Sequence, residues 1–164
     1  MEKLQAAIRE ARARRDGHRT GPRPVPHETG GAGEVGQDWA ALPVMTPGPA
    51  RLSRNRVVTL SDNPAAAPHD RLRSRIQQHM GREGRRRLAI TSPEPGTGKT
   101  TVAANLAGSI ARCGAGRAVL IEFDLANPCL ARLFGQGGTG GVADLLAGRI
   151  GFDCHARRLG ANVA

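Results

Sequence analysis

The residues best equipped for chemistry lie between Ala89 and Ala107, in the stretch AITSPEPGTGKTTVAANLA. Gly96 and Gly98 let a backbone approach a ligand closely, and Lys99, Thr100 and Thr101 follow at once. Consecutive backbone N–H groups at the start of a helix, with one ammonium beside them, form a cradle for a polyphosphate. In that reading Lys99 meets the β- and γ-phosphates, the Thr100 hydroxyl ligates Mg2+, and Thr101 adds a side-chain hydrogen bond. Pro95 has no N–H and shapes the entry to the turn. The phosphate-binding set is therefore Pro95, Gly96, Thr97, Gly98, Lys99, Thr100 and Thr101. Pro93 stands where the common form of such a loop has glycine. Because the main chain holds the phosphates, that substitution leaves the cradle intact. The competing reading is a Gly-rich strand–helix turn with an incidental lysine.

A second set follows at IEFD, where Glu122 and Asp124 are two residues apart and share a face if the segment is a strand. Open α/β sheets place ligand groups at the carboxyl ends of their parallel strands. One acid would hold a metal-bound water and the other would orient or deprotonate an attacking group. The catalytic candidates are thus Lys99, Asp124 and Glu122, and the metal candidates Thr100 and Asp124. The alternative is that one of the acids caps the turn before Asn127–Pro128.

Positioning these groups requires a strand, a helix and a second parallel strand. LAITS, from Leu88 to Ser92, is a short apolar run that predicts a buried strand. KTTVAANLAGSIARC predicts a helix with Val102, Leu106 and Ile110 on one face and Ala103, Ala107 and Ala111 beside them, stopped by Gly114. AVLIEFD, from Ala118 to Asp124, predicts the second strand, and the three together make a right-handed βαβ unit. CLARLFG and GVADLLAGR read as two short helices, and RIGFDCHARRLGANVA shows no core period. The expected fold class is α/β: a P-loop NTPase-like parallel sheet with flanking helices over residues 88–164. The sequence predicts the front half of such a domain, with a sheet edge left open, preceded by a largely disordered basic extension.

That extension divides into three. Residues 1–15, MEKLQAAIREARARR, carry a narrow stripe of Leu4, Ala7, Ile8 and Ala11 at helical spacing, an N-terminal amphipathic helix. Residues 16–68 hold eight of the eleven prolines and the cluster TGGAGEVG, which predicts a flexible linker with RNRVVTL as its one strand-like island. Residues 69–87 form a basic helix and connector, with Leu72, Ile76 and Met80 at four-residue spacing and glycines at the end. The charge follows this division. Residues 1–87 carry 17 basic and 9 acidic side chains, residues 88–164 only 7 and 5, within a total net charge of +10. A basic extension suits nucleic acid, anionic lipid or an acidic partner, or simply solvates a flexible arm. With only Trp39, Phe123, Phe134 and Phe152 as aromatics, stacking on single-stranded nucleic acid is disfavoured. Three cysteines without C-x-x-C spacing point to free thiols in a reducing cytosol rather than to a metal cluster. No apolar run reaches the length of a signal peptide or a membrane span, so the chain is expected to be cytoplasmic.

The run from AITSPEPGTGKTTVAANLAGSIARCG through AVLIEFDLANPCLARLFG to GGVADLLAG resembles the capsular and exopolysaccharide tyrosine autokinases of bacteria, the CpsD/CapB type, which sit among the MinD/ParA-like P-loop ATPases. The family loop, TS-x-x-PG-x-GK-[ST]-T, matches at Ser92, Pro95, Gly96, Gly98, Lys99, Thr100 and Thr101. The family's acidic motif after the second strand matches at Asp124 and Pro128, with Glu122 in place of the first Asp and Ala126 near an expected Arg. Phe134, Gly135, Gly141, Asp144, Leu145 and Gly148 fit the stretch beyond. Of the family's oligomerisation helix, HDRLRSRI keeps Leu72, Arg73 and Ile76. The family's third acidic strand has no counterpart after Ile150, and its tyrosine cluster none in a sequence without Tyr.

The resemblance implies ATP and Mg2+ as cofactors, tyrosine phosphorylation in control of exopolysaccharide synthesis and export, and a membrane-bound polysaccharide chain-length regulator as partner. It also implies homo-oligomers and a peripheral place at the inner membrane held through that partner, without nucleic acid. Two other readings stay open: a partitioning or positioning ATPase that uses the basic half on DNA or membrane, and a non-catalytic nucleotide-binding interaction protein.

Overall fold

The computed structural model describes residues 39–114, 116–137 and 141–164. The expected N-terminal helix over 1–15 lies outside the described residues. Within them the chain is a mixed α/β unit built round one long helix. In chain order it has β1 (Val44–Met45), α1 (Pro49–Arg54), a 3-10 turn (Pro64–Ala66), α2 (Ala67–Arg82) and α3 (Lys99–Cys113). Three short helices follow, α4 (Leu130–Phe134), α5 (Val142–Leu146) and α6 (Phe152–His155), and then β2 (Arg158–Leu159). β1 and β2 pair in parallel, Val44 opposite Arg158 and Met45 opposite Leu159.

Helix α3 occupies the predicted span and stops at Gly114, which takes φ 68° and sends its N–H back to the Ile110 carbonyl. Its packed face is not the large apolar stripe expected. Ala104, Asn105, Ala107, Gly108 and Ser109 are buried along with Leu106, while Val102 and Ile110 are only half-buried. Small residues let the backbone of residues 56–60 lie directly on the helix. Asn105, fully buried, secures that approach. Its Oδ1 accepts the N–H groups of Val58 (2.9 Å) and Thr59 (3.3 Å). Its Nδ2 donates to the carbonyls of Arg56 and Thr101, both at 2.9 Å. The Thr59 hydroxyl donates in turn to the Asn105 carbonyl at 2.9 Å.

Gly108 is part of the same fit, because a Cβ built there would lie 2.3 Å from Thr59 Oγ1 and 3.1 Å from the Leu60 side chain. Gly108→Ala should therefore lower stability by about 1–3 kcal/mol through overpacking, although alanine is the better helix former by about 1 kcal/mol. Equal urea midpoints for the variant and the wild type would show that the contact is slack.

These contacts correct the linker expected over 16–68, at least for its part from residue 39 onward. Leu52 and Val57 belong to the hydrophobic core with Ala104, Ala107, Leu133, Phe134, Leu159 and Val163. Leu42, Ala66 and Thr59 are buried as well. RNRVVTL, the strand-like island, is not a strand; it is the irregular segment that Asn105 holds. Its irregularity is what makes the side-chain partner necessary, since buried backbone groups outside a ladder need hydrogen bonds from elsewhere.

The two expected core strands are also corrected. Residues 88–92 form no ladder, and Leu88 and Ile90 stand exposed. In Ala118–Asp124 only the first residues find a neighbour. Ala118 bridges Val163 in parallel, its N–H bonded to the Asn162 carbonyl (2.9 Å), and Leu120 N–H donates to the Ala164 carbonyl (2.7 Å). A strand needs a paired edge, and here the residues at the other end of the chain supply just one short one. The final segment, in which the sequence shows no core period, is nevertheless packed. Leu159 and Val163 are core, and Asn162 Nδ2 ties the segment to the Ile110 (3.1 Å) and Gly116 (2.9 Å) carbonyls. Trp39 adds a bond from Nε1 to the Ala161 carbonyl at 2.9 Å, with the Arg117 guanidinium 5.3 Å from its ring centre.

Helix α2 forms where expected, but none of its residues is buried, and Leu72 is exposed. It is joined to α3 by polar groups. Ser109 Oγ donates to Asp70 Oδ1 (2.5 Å) and accepts from Arg73 Nε (3.1 Å), and Arg112 pairs with Asp70 Oδ2. The Ser109 hydrogen bond is the main cause that holds the Asp70 carboxyl below its ordinary range; burial opposes it, and the Arg112 hydrogen bond and the Arg112 and Arg73 charges add to the lowering. A depressed folded value means that stability is present above the unfolded value, about 3.9. It is lost as pH falls through the folded one. Asp70→Asn should melt below the wild type at pH 6, with the gap closing as the pH is lowered through 4 toward 3. A gap that stays constant over that range would remove Asp70 from the acid response.

Candidate functional site

The glycine-rich loop sits at the N-terminus of α3, as the sequence predicts. Gly96 (φ 74°) and Gly98 (φ 92°) both lie in the left-handed region, and no atom within 4 Å would oppose a Cβ at either. The requirement there is conformational, since only glycine adopts these angles without strain. The loop is exposed from Pro93 to Thr97, while Ser92 and Gly98–Thr100 are half-buried.

Lys99 does not trail into solvent. Its Nζ donates to Ser92 Oγ at 2.8 Å and to the Glu94 carbonyl at 3.1 Å. Thr97 Oγ1 donates to Ser92 Oγ at 2.7 Å, and the Ser92 hydroxyl donates to the Glu94 carbonyl at 2.7 Å. The ammonium is therefore held against the loop by two uncharged oxygens. Its positive charge, the positive end of a helix of 15 residues and two left-handed glycines all meet at one surface turn. Such a constellation suits a phosphate anion.

The acids are placed differently from the expectation of two free carboxylates on one strand face. Glu122 caps α4: Oε1 accepts Cys129 N–H (2.9 Å), and Oε2 accepts Leu130 N–H (2.9 Å). Cys129 then reaches the loop helix, its Sγ donating to Thr100 Oγ1 at 3.3 Å. Glu122 and Thr100 are thus joined through a single residue that the motif reading did not single out. Asp124 Oδ1 accepts Asn127 N–H at 3.1 Å, which is the turn-capping alternative. Among the described residues no hydrogen bond ties Asp124 to the loop. The structure so gathers Ser92, Thr97 and Lys99 in one cluster and Thr100, Cys129 and Glu122 in an adjoining one, with Asp124 in its own turn. The Thr100 hydroxyl and the two carboxylates are hard oxygen donors, the chemistry that Mg2+ selects.

Beyond the loop, Asp144 is a cap as well. It accepts Gly141 N–H at 3.0 Å and pairs with Arg149, and those bonds keep its carboxyl below the ordinary range. Two open clefts, one lined by Thr59, Leu60, Asp62, Ala111, Arg112 and Gly160 and the other by residues of 47–63, contain no residue of the glycine loop. The glycine loop itself is an exposed surface turn. Among the described residues no helix is long and apolar enough to cross a membrane.

Comparison with known proteins finds bacterial relatives. The chain is 39% identical over 87 residues to a protein of Ralstonia solanacearum named "Putative tyrosine-protein kinase EpsB", and 38% identical over 87 residues to its namesake in Ralstonia nicotianae. It is 30% identical over 128 residues to a "Putative tyrosine-protein kinase in cps region" of Klebsiella pneumoniae. Over part of its length the chain is a homologue of proteins named as tyrosine kinases. The resemblance drawn from the loop and the acidic motif holds at this level. The matches cover 53% of this chain and 12% of each Ralstonia protein, and 70% of this chain and 18% of the Klebsiella one. No family model matches, and no solved structure matches.

Proposed function

We infer that residues 95–101 bind the phosphates of Mg·ATP and that the chain is an ATP-binding module of the tyrosine-kinase type serving exopolysaccharide synthesis and export. The observation that carries this reading is the placement of the Lys99 ammonium. It lies against the glycine turn at the start of α3, held by Ser92 Oγ and the Glu94 carbonyl. Neutral acceptors orient the cation without cancelling its charge, so it remains available to an anion. The names of the homologues support the kinase class and the exopolysaccharide setting. Thr100 and Asp124 would hold Mg2+, with Glu122 beside Thr100 through Cys129. When bound, the ion supplies charge neutralisation of the phosphate oxygens. The P-loop NTPase-like fold, the membrane-bound chain-length regulator as partner and a peripheral position at the inner membrane belong to the same proposal. The test is calorimetric titration of the full chain with Mg·ATP, beside Lys99→Ala, and the absence of saturable wild-type binding would overturn it.

A second reading has its own observation. Glu122 spends both carboxylate oxygens on α4 and Asp124 accepts Asn127 N–H, so neither acid is poised as a base. This arrangement favours a chain that holds nucleotide without turning it over. ATP binding with no phosphate released and no transfer to a tyrosine-bearing partner protein would select it.

A further inference from the structure

Ser92 occupies the centre of the loop's hydrogen bonds, and its part there goes beyond matching a motif. A serine hydroxyl has one hydrogen to donate and two lone pairs to accept with. All three are used. The hydroxyl donates to the Glu94 carbonyl (2.7 Å) and accepts from Thr97 Oγ1 (2.7 Å) and Lys99 Nζ (2.8 Å). The Glu94 carbonyl, itself fixed by the Ser92 hydroxyl, takes a second hydrogen from Lys99 Nζ at 3.1 Å. An ammonium carries three N–H donors, so two anchor it to the loop and one remains for an incoming oxygen.

We propose that Ser92 is the positioning residue that presents the Lys99 ammonium to a nucleoside polyphosphate. This rests on the nucleotide reading of the same loop. A lysine side chain loses much of its rotamer freedom when it is fixed on a ligand. Holding Nζ in place beforehand moves that loss from the binding step into the folded state, which raises affinity. Because Ser92 is half-buried in a surface turn, its hydroxyl has no core role that would confuse the outcome.

The experiment is a double-mutant cycle on the full chain, titrated with Mg·ATP: wild type, Ser92→Ala, Ser92→Thr, Lys99→Ala, and Ser92→Ala with Lys99→Ala. Ser92→Ala should weaken binding about 3- to 10-fold, the range expected for one modest hydrogen bond. Ser92→Thr, which keeps the hydroxyl, should restore most of it. With Lys99→Ala in place, Ser92→Ala should add nothing, because the group it positions is gone. Two outcomes overturn the inference alone: Ser92→Ala binding as tightly as wild type while Lys99→Ala is impaired, or the same loss from Ser92→Ala in both backgrounds, which would mark a general loosening of the turn. A wild-type chain that fails to bind Mg·ATP overturns the nucleotide reading and the inference with it.

Discussion

Replacing Lys99 by alanine weakens Mg·ATP binding by at least about tenfold and by up to about a hundredfold, each lost hydrogen bond to a charged group being worth about 1.5–3 kcal/mol. The fold should survive, because among the described residues Lys99 Nζ bonds only to the surface turn, to Ser92 Oγ and the Glu94 carbonyl. Circular dichroism melts of the variant and the wild type should then overlay within a few degrees, and calorimetry alone should separate them. Lys99→Arg recovers only part of the affinity, since the guanidinium keeps the charge but is planar and larger than the ammonium that fits this turn. Raising the ionic strength should weaken wild-type binding more than that of Lys99→Ala, because the loop is exposed and its charge is screened. Equal dissociation constants for wild type and Lys99→Ala would remove the ammonium from the site and leave the loop a structural turn.

Replacing Asn105 by alanine has the largest expected effect on stability. The change strips partners from the N–H groups of Val58 and Thr59 and from the Arg56 carbonyl, on a segment whose Val57 and Thr59 are 2% and 0% exposed. Each buried group left unsatisfied costs about 1–3 kcal/mol. Some relaxation and water entry reduce the sum, so a loss of about 2–4 kcal/mol is expected, a large share of the 5–15 kcal/mol typical of a domain. Thermal melts should fall by roughly 10 °C or more. Asn105→Asp should be at least as damaging at neutral pH, since a carboxylate would face the Arg56 and Thr101 carbonyls that now accept from Nδ2. A melt of Asn105→Ala within about 2 °C of wild type would show that residues 56–59 do not depend on the helix; a shift of that size is about 0.5 kcal/mol.

The contrast between these two residues shows how much was legible in the sequence. Lys99 was readable because everything that defines it is local: two glycines, a helix start and three threonines within six positions. Helix α3 with its Gly114 stop was readable for the same reason. Asn105 was not, since an asparagine inside a helix reads as solvent-facing, and its partners lie 47 and 46 residues away. The core contributions of Leu52 and Val57 were hidden by the prolines around them, because isolated apolar residues show no period. The expected strands failed on another ground. Apolar runs such as Leu88–Ser92 and Ala118–Asp124 predict extended backbone, but a ladder also needs a neighbour, and the neighbour is not written in the run itself. Glu122 and Asp124 follow from that. Their shared face presumed a regular strand, and outside one the nearest N–H groups claimed them.

Val119, Ile121, Phe123 and Leu125 recur at every second position of one stretch and all stand exposed. The stretch contains no proline, and its two acids, Glu122 and Asp124, fall on the alternating positions, so the row of four apolar side chains is what one molecule can offer another as a template for stacking. The usable concentration of this protein in the test tube is therefore set by colloidal behaviour as much as by folding. Preparations should cloud on warming or concentration well before the helices melt, and a charged residue in place of Phe123 should keep them clear.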